Sequence, residues 1–422
     1  MKRNQYWYPI DNAGKIFPAV SKDSRSSVFR LSFYLKEKVK KDFLEQAVNN
    51  VLPRFETFAV ELKSGLFWYY LSANDRPFQV EEESARIAKF FSWQKNNGYL
   101  FKVYYYENKI TLETFHSLTD GTGAMEFLKS IVYKYFELQG HSLEHDGRIR
   151  SQLPHDVTGE IDMFVDSYDS TNRKSLTEEP AYHLSGEKFK YHFSLAVRAQ
   201  VPTERLSAVA KANHVTIGQY VTAAMAYSIY SCSHDCRTSK KPIKIFIPVN
   251  LRKFFPSNTL RNFSLYIKST FSGKESWTFE KMLASTKEQF ADQLTKEDLH
   301  RRINSNVSIE KNPFIRILPL AIKNLAFQIG YYYCAENIST YYISNLGNIS
   351  LPTDLDPYID DVEFALGGTC MAIASIHGHT NLMLNSEFKD ITTIQYFLKL
   401  LTDAGIPVTI DTNYKEGYDE IL

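Results

Sequence analysis

A histidine followed four residues later by an aspartate and a glycine lies in the stretch TLETFHSLTDGTGAMEF, residues 111–127. His116 could act as a general base, because an imidazole takes up and returns a proton between pH 5 and 8. Asp120 has two alternative tasks. It could pair with His116, or it could hold the turn as the N-cap of a following helix, a position that aspartate fills well. A core histidine beside a capping aspartate would give the same spacing, so the pattern alone leaves both interpretations open.

The elements around this pattern are a strand and a helix. Side chains alternate along a strand, so His116 shares a face with Ile110 and Leu112, which predicts that it points inward at the strand's end. We expect Gly121 and Gly123 to allow a sharp turn into an amphipathic helix over 122–138.

A near-copy tests how specific the pattern is. HSLEHDG at 141–147 places His141 five residues before Asp146, in a polar segment that follows no strand. We therefore expect this second histidine to lie in a solvated loop.

Composition limits the classes of function. The chain has 422 residues, enough for two or three domains or for two lobes of about 200 residues each. Its 49 basic and 48 acidic residues give a net charge of +1, which offers no global attraction for nucleic acid or for an anionic membrane. The four cysteines make no disulfide framework, and the CSHDC stretch at 232–236 has no second pair to complete a metal site, so we expect no metal.

No leader or membrane span is expected from the sequence. The N-terminal residues lack an apolar run of signal-peptide length. The longest apolar candidate, PFIRILPLAIKNLAFQIGYYYC at 313–334, is interrupted by Arg316 and Lys323. A reduced, cytoplasmic protein is the expectation.

Two mixed α/β lobes joined by a polar segment are predicted. Strands and amphipathic helices alternate up to about residue 140 and again beyond about 186. Between them the chain is polar with little periodicity. The predicted division is an N-terminal lobe at 1–145, a crossover at 146–185 and a C-terminal lobe at 186–422. Two long helices are predicted near 276–296 and 313–330.

The strand-borne FHSLTDG resembles the signature of the CoA-dependent acyltransferase superfamily. That group includes chloramphenicol acetyltransferase, the plant BAHD acyltransferases, bacterial alcohol acetyltransferases and the condensation domains of peptide synthetases. The resemblance covers most of the chain and implies two chloramphenicol-acetyltransferase-like lobes with an active-site tunnel between them. Condensation domains usually have two successive histidines, whereas this chain has Phe115 before His116. The D-F-G-W-G of the plant branch is absent.

The resemblance also implies roles for individual residues. His116 and Asp120 would be catalytic, with Gly121 in support. The strand and loop IPVNLRKFF, from 247, resemble those whose arginine bonds the motif aspartate, so Arg252 would pair with Asp120; an ordinary surface arginine is the alternative. YYISNLGN at 341–348 resembles a segment near the tunnel, and either Ser344 or Asn345 could donate a hydrogen bond to an oxyanion, although a simple strand end would look the same.

The implied activity is transfer of an acyl group, in the first place acetyl, from acyl-CoA to the hydroxyl or amine of a small apolar acceptor. Acyl-CoA would be a co-substrate, with no permanently bound cofactor. A condensation-type domain that takes its acyl group from a carrier protein is one alternative. A non-catalytic binding protein with the same fold is the other.

Overall fold

Mixed sheets with helices on their faces make up the chain. The computed structural model describes residues 6–84, 86–153, 157–173 and 178–414. Within these ranges the strands are β1 Trp7–Pro9, β2 Val28–Leu35, β3 Val60–Ser64, β4 Tyr69–Ala73, β5 Glu81–Glu82, β6 Phe101–Tyr106, β7 Lys109–Phe115, β8 Leu195–Pro202, β9 Ile243–Asn250, β10 Ser264–Phe271, β11 Tyr341–Asn348, β12 Ile359–Leu366, β13 Cys370–Ile376, β14 His379–Ser386 and β15 Thr409–Thr412. The α-helices are α1 Phe17–Val20, α2 Lys41–Val51, α3 Gly121–Leu138, α4 Met163–Asp166, α5 Thr203–Ala212, α6 Ile217–Cys232, α7 His234–Thr238, α8 Phe279–Gln293, α9 Lys296–Lys311, α10 Pro313–Ile317, α11 Leu320–Tyr331 and α12 Thr392–Asp403.

The first lobe is built on a sheet with the order β12–β2–β7–β6–β5. β2, β7 and β6 pair antiparallel, and β5 runs parallel to β6. α2 buries Leu44, Ala47, Val48 and Val51, which share one helical face, in the core that this sheet and α3 also line. β7 is buried on both faces, because the sheet also faces the second lobe.

The second lobe is built on a larger sheet with the order β10–β9–β11–β13–β14–β8–β15. β11 runs parallel to its neighbours β9 and β13, and the remaining pairs are antiparallel. α6 and α12 pack on it, with Met225 and Phe397 fully buried. β9 and β11 both end at the side of the sheet that approaches His116, so their last residues can reach the first lobe.

A strand of the predicted C-terminal lobe belongs to the sheet of the first lobe, which the predicted boundaries do not anticipate. β12 lies far into the 186–422 segment, yet it pairs with β2 and completes the sheet of the first lobe. The predicted crossover at 146–185 is partly packed, since Phe164 in α4 is buried against Phe263. Residues 154–156 and 174–177 of that crossover lie outside the described ranges.

A small sheet, β1–β4–β3, and the helices α9 to α11 complete the fold. Of these helices α9 was not predicted, although Leu299, Ile303 and Val307 repeat at four-residue spacing and are buried on one face. The predicted helix at 313–330 is two helices, α10 and α11, separated by Pro319. Across the described ranges, no helix has both the length and the apolar character that a membrane crossing requires.

Candidate active site

His116 directly follows β7 and lies in the wall of a cavity of about 830 Å³ between the lobes. Its ring stacks on Phe17 at a centroid distance of 4.6 Å and meets the edge of Phe29 at 5.2 Å. Residues of the second lobe, among them Pro248 and Ser344, line the same cavity. His116 therefore faces the space between the lobes. Strand alternation could not have settled this, because both faces of β7 are buried.

Asn262 fixes the tautomer of His116. Its amide nitrogen Nδ2 lies 2.9 Å from the backbone oxygen of His116 and 3.1 Å from Oδ2 of Asp11. A carbonyl oxygen can only accept, so Nδ2 must point this way and Oδ1 must face the imidazole. Oδ1 is 3.0 Å from Nδ1 of His116, and this bond requires a hydrogen on Nδ1. Nε2 is then left with its lone pair, and it has no polar partner among the described residues.

Burial keeps this imidazole neutral. Removal from water disfavours the imidazolium and lowers the pKa of His116 below its usual value of about 6.5. The negative charge of Asp120 and the bond to Asn262 oppose that shift but do not reverse it. At neutral pH the ring is therefore an unprotonated base at Nε2.

Asp11 stands behind Asn262 and is completely buried. Its Oδ1 accepts from the backbone N–H of Gly14 at 2.6 Å, and its carboxylate accepts from Nδ2 of Asn262. Arg261 Nε is 3.8 Å away. Burial outweighs these favourable contacts and raises the pKa of Asp11 to about 6. Asp11, Asn262 and His116 thus form a continuous hydrogen-bonded row that leads from the protein interior to the cavity.

Asp120 performs a different task, and it does not bond to His116. Its Oδ1 accepts from the backbone N–H groups of Thr122 and Gly123, both at 3.1 Å, which makes it the N-cap of α3. Its Oδ2 accepts from Arg252 Nη1 at 2.8 Å and from the Phe263 backbone N–H at 2.9 Å. The expected contact with Arg252 is therefore present, together with the N-cap that was the alternative to a pairing with His116.

Arg252 joins the lobes at the level of the site. Its Nε and Nη2 donate to the backbone oxygens of Thr259 (3.0 Å) and Arg261 (2.7 Å). The side chains of Arg252 and Asp120 are 10% and 7% exposed, so the pair is largely shielded from water. Because Asp120 and Arg252 both bond the segment 259–263, they hold in place the loop that carries Asn262.

Gly121 and Gly123 lie where the chain turns into α3, and they are required there for close approach. Neither has a positive φ. A Cβ at Gly121 would lie 2.8 Å from Cδ2 of Leu346, and a Cβ at Gly123 would overlap the Leu260 carbonyl oxygen. The start of α3 therefore packs directly on the second lobe.

The two candidate oxyanion donors are separated by strand alternation. Ser344 lines the cavity. Tyr341 and Ile343, which alternate with it along β11, are buried on the other face of the strand. Asn345 points to the opposite face of β11 and is exposed. Its Oδ1 accepts from the Gly347 backbone N–H at 2.7 Å. Ser344 is thus the candidate that is close to the space in front of His116.

Other candidate chemistry lies outside this site. His141 bonds the Tyr358 hydroxyl at 3.0 Å and packs against Phe136, so it is a half-buried loop residue and less solvated than expected. Asp146 pairs with Arg148 at the surface. In the described part of the chain, no three His, Cys, Asp or Glu side chains come together in a way that could hold a metal ion.

Asn262, Asp11 and Phe17 were missed by the sequence interpretation. Asn262 lies 146 residues from His116, and Asp11 lies 251 residues from Asn262. No local periodicity links such positions. One signal was available. Asn262 lies in the loop between β9 and β10, the same loop that contains Arg252, the predicted partner of Asp120.

Comparisons with known proteins support this fold. No protein-family model and no curated protein sequence matches the chain. Solved structures match nearly all of it. The structure of TRI101 from F. graminearum complexed with coenzyme A and T-2 mycotoxin is similar with a TM-score of 0.62 and 11% identity, over 96% of this chain and 100% of that one.

Two further structures show the same relation. Polyketide synthase associated protein 5 from Mycobacterium tuberculosis has a TM-score of 0.56 and 13% identity, over 93% of this chain and 97% of that one. The first condensation domain of the CDA synthetase has a TM-score of 0.59 and 13% identity, over 94% and 96%. The chain has the two-lobed fold of the CoA-dependent acyltransferases and condensation domains, as expected.

Proposed function

We propose that the protein transfers an acyl group from acyl-CoA to a hydroxyl or amine of a small acceptor, with His116 as the general base. The observation that carries the proposal is the state of His116. Its Nδ1 lies 3.0 Å from Asn262 Oδ1, which assigns the hydrogen to Nδ1 and the lone pair to Nε2, and its side chain lines the cavity between the lobes. This is the state that a base needs before it can remove a proton from an acceptor.

The reaction balances with His116 as the sole proton carrier. Nε2 takes the proton from the acceptor as its oxygen or nitrogen forms a bond to the thioester carbonyl carbon. The tetrahedral intermediate then collapses, the carbon–sulfur bond breaks, and the imidazolium returns the proton to the CoA thiolate. Both substrates meet in one cavity, so proximity supplies a large share of the rate and no covalent enzyme intermediate is needed.

Cysteine chemistry is a poor alternative in this cavity. Cys370 lines it, but burial raises the pKa of its thiol to about 12. The thiol therefore stays protonated at neutral pH and is a weak nucleophile. Direct transfer assisted by His116 remains the better account.

Ser344 is proposed to stabilise the negative oxygen of the intermediate. Its hydroxyl lies on the cavity side of β11 and has no hydrogen-bond partner among the described residues, so it is available to a ligand. Removing one such donor typically costs about 10²- to 10³-fold in kcat. Asn345 is not proposed for this role, because it is on the other face of the strand.

The donor and the class of acceptor are parts of the proposal. TRI101 was crystallised with coenzyme A and a small mycotoxin, which favours a thioester donor and a compact acceptor. The similarity to condensation domains favours a second candidate, in which the acyl group arrives on a carrier protein. Phe115 in place of a first histidine speaks for the free-CoA donor.

The test is acyl transfer by His116→Gln and His116→Ala, with His141→Ala as the matched control in the near-copy motif. Free CoA and acylated product are detected by mass spectrometry with acetyl-CoA and a panel of apolar alcohols and amines. We expect both His116 variants to lose about 10²- to 10⁴-fold in kcat, and the control to keep its activity. Undiminished turnover by a folded His116→Ala would refute the role of this histidine. Binding of CoA without any turnover by the wild type would favour a non-catalytic protein.

A further inference from the structure

The exposed side of α10 and α11 is unusually apolar. Six large side chains, each between 51% and 77% exposed, lie on α10, on α11 and on the β3–β4 turn beside them: Leu66, Phe314, Ile317, Ile322, Leu325 and Ile329. We call these six residues the outer face. A contiguous patch of this kind on a soluble surface is typical of an interaction site.

Hydrogen bonds to the rest of the protein fix the orientation of helix α11. Ile322, Leu325 and Ile329 follow the spacing of one helical face and point outward. The side of α11 turned toward the protein carries both polar and aromatic side chains, among them Lys323, Asn324 and Phe327. Lys323 Nζ donates to the Phe67 backbone oxygen at 2.9 Å, and Gln328 Nε2 donates to the Ala19 oxygen at 2.9 Å. Lys323 is thus a buried side chain of α11, whereas Ile322, Leu325 and Ile329 are exposed.

The turn between β3 and β4 joins the outer face to the small sheet. The Leu320 backbone N–H donates to the Leu66 oxygen at 2.9 Å, and Asn324 Nδ2 donates to the Tyr69 hydroxyl at 2.9 Å. These bonds place the exposed side chain of Leu66 next to α11. The outer face is therefore one continuous surface drawn from two parts of the chain.

The two helices that carry most of the outer face have charges of one sign. From residue 311 to residue 335 the chain contains Lys311, Arg316 and Lys323 and no acidic residue. Lys311 and Arg316 are exposed, and Arg316 has no carboxylate partner among the described residues. The flanking carboxylates are engaged, because Glu310 pairs with Lys15 and Glu336 pairs with Arg25. Apolar side chains with cations beside them complement an anionic bilayer surface.

We propose that the outer face binds the surface of an anionic phospholipid bilayer. The apolar side chains enter the boundary between headgroups and acyl chains, and Arg316 contacts the headgroup phosphates. Protein partners fit less well, because a second copy of the same face would bring the cations together.

The outer face is connected to the candidate active site. Tyr331, the last residue of α11, lines the inter-lobe cavity. Gln328 bonds α1, and Phe17 of α1 stacks on His116. Resting on the proposed function, a bilayer at this face would supply the cavity with lipid-soluble acceptors. The docking itself does not depend on that function.

The experiment is co-sedimentation of the full chain with vesicles of phosphatidylcholine, with and without phosphatidylserine. The wild type should sediment with the anionic vesicles. Leu325→Asp combined with Ile329→Asp should weaken binding by roughly tenfold or more per side chain. Ile410→Asp is the matched control, because Ile410 is an equally exposed isoleucine of the edge strand β15. Arg316→Gln should weaken binding about fivefold, and only to the anionic vesicles.

Three results would overturn the proposal. The wild type could stay in the supernatant with anionic vesicles, or the double variant could sediment as the wild type does. Alternatively, sedimentation velocity without lipid could show a dimer that the double variant abolishes, with no vesicle binding, and the occupant would then be a second copy of this chain. His116→Gln should bind vesicles normally, so a failure of docking and a failure of the proposed chemistry are distinguished.

Discussion

Asn262→Ala tests the reasoning about the base most directly. Asn262 is 1% exposed and supplies the acceptor that holds the proton on Nδ1 of His116. The substitution removes this bond without touching the imidazole. A hydrogen bond of this kind contributes about 1 kcal/mol net, which corresponds to roughly fivefold. We expect kcat to fall by about that factor, because the ring loses its preferred tautomer and orientation.

The same substitution should move the pH profile. The bond from Nδ1–H to Asn262 favours the imidazolium, so its loss lowers the pKa of His116 further. The acid limb of kcat/KM should therefore shift to lower pH. Asp11 also loses a donor to its buried carboxylate, and we expect a decrease of about 1–3 kcal/mol in the free energy of unfolding.

Asn304→Ala is the matched control. Asn304 is a completely buried asparagine that bonds Asp169 (3.0 Å) and the Thr171 oxygen (3.0 Å), away from the cavity. Its loss should lower stability by a similar amount and leave both kcat and the acid limb unchanged. The assay is CoA release across pH, with urea unfolding alongside. If Asn262→Ala and Asn304→Ala had the same kinetic profile, Asn262 would be structural only and the tautomer argument would be refuted.

Three further outcomes follow from the site. For the wild type, kcat/KM should fall on the acid side with a midpoint below 6.5, because only neutral His116 accepts a proton and burial lowers its pKa; a midpoint above that value in a pH-rate profile would contradict it. A double-mutant cycle of Asp120→Ala and Arg252→Ala, measured by urea unfolding, should give a coupling of about 1.5–3 kcal/mol, and additive effects would exclude a stabilising pair. Gly121→Ala should destabilise the protein by about 1–3 kcal/mol in thermal unfolding, since its Cβ would lie 2.8 Å from Leu346; an unchanged melting temperature would show that Leu346 moves aside freely.

The sequence predicted the parts of the fold that local rules govern. α3 begins at Gly121, one residue before the predicted start, and its N-cap is the aspartate that the spacing suggested. β6 and β7 form a hairpin, with Glu107 in its tight turn at a φ of 48°. In each case residues within a few positions of one another carry the signal. α9 carries a local signal as well, in Leu299, Ile303 and Val307 at four-residue spacing, and it was overlooked.

The candidate site was only partly predictable, because its contacts are not local. The Asp120–Arg252 contact could be anticipated only through a resemblance to other proteins, since 132 residues separate the two. Asn262 and Asp11 have no recognisable motif. Their significance arises from the packing of two lobes, which places a loop of one against a turn of the other. The glycines were identified correctly as special, but the reason is the close approach of those same lobes.

The segment 313–334 shows why periodicity can mislead even where a helix is correctly predicted. Arg316 and Lys323 both interrupt its apolar run, and a pattern treats them alike as solvent-facing. In the structure Arg316 is exposed, whereas Lys323 is buried with Nζ 3.7 Å above the Trp68 ring, and burial lowers its pKa. Polar side chains of α11, Lys323 and Asn324 among them, bond to the protein, whereas the isoleucines of the helix are exposed. Hydrophobic periodicity reports that a helix has two faces. Which face the protein covers is decided by the partners available to the polar one, and here those partners lie on β4, α1 and the β3–β4 turn.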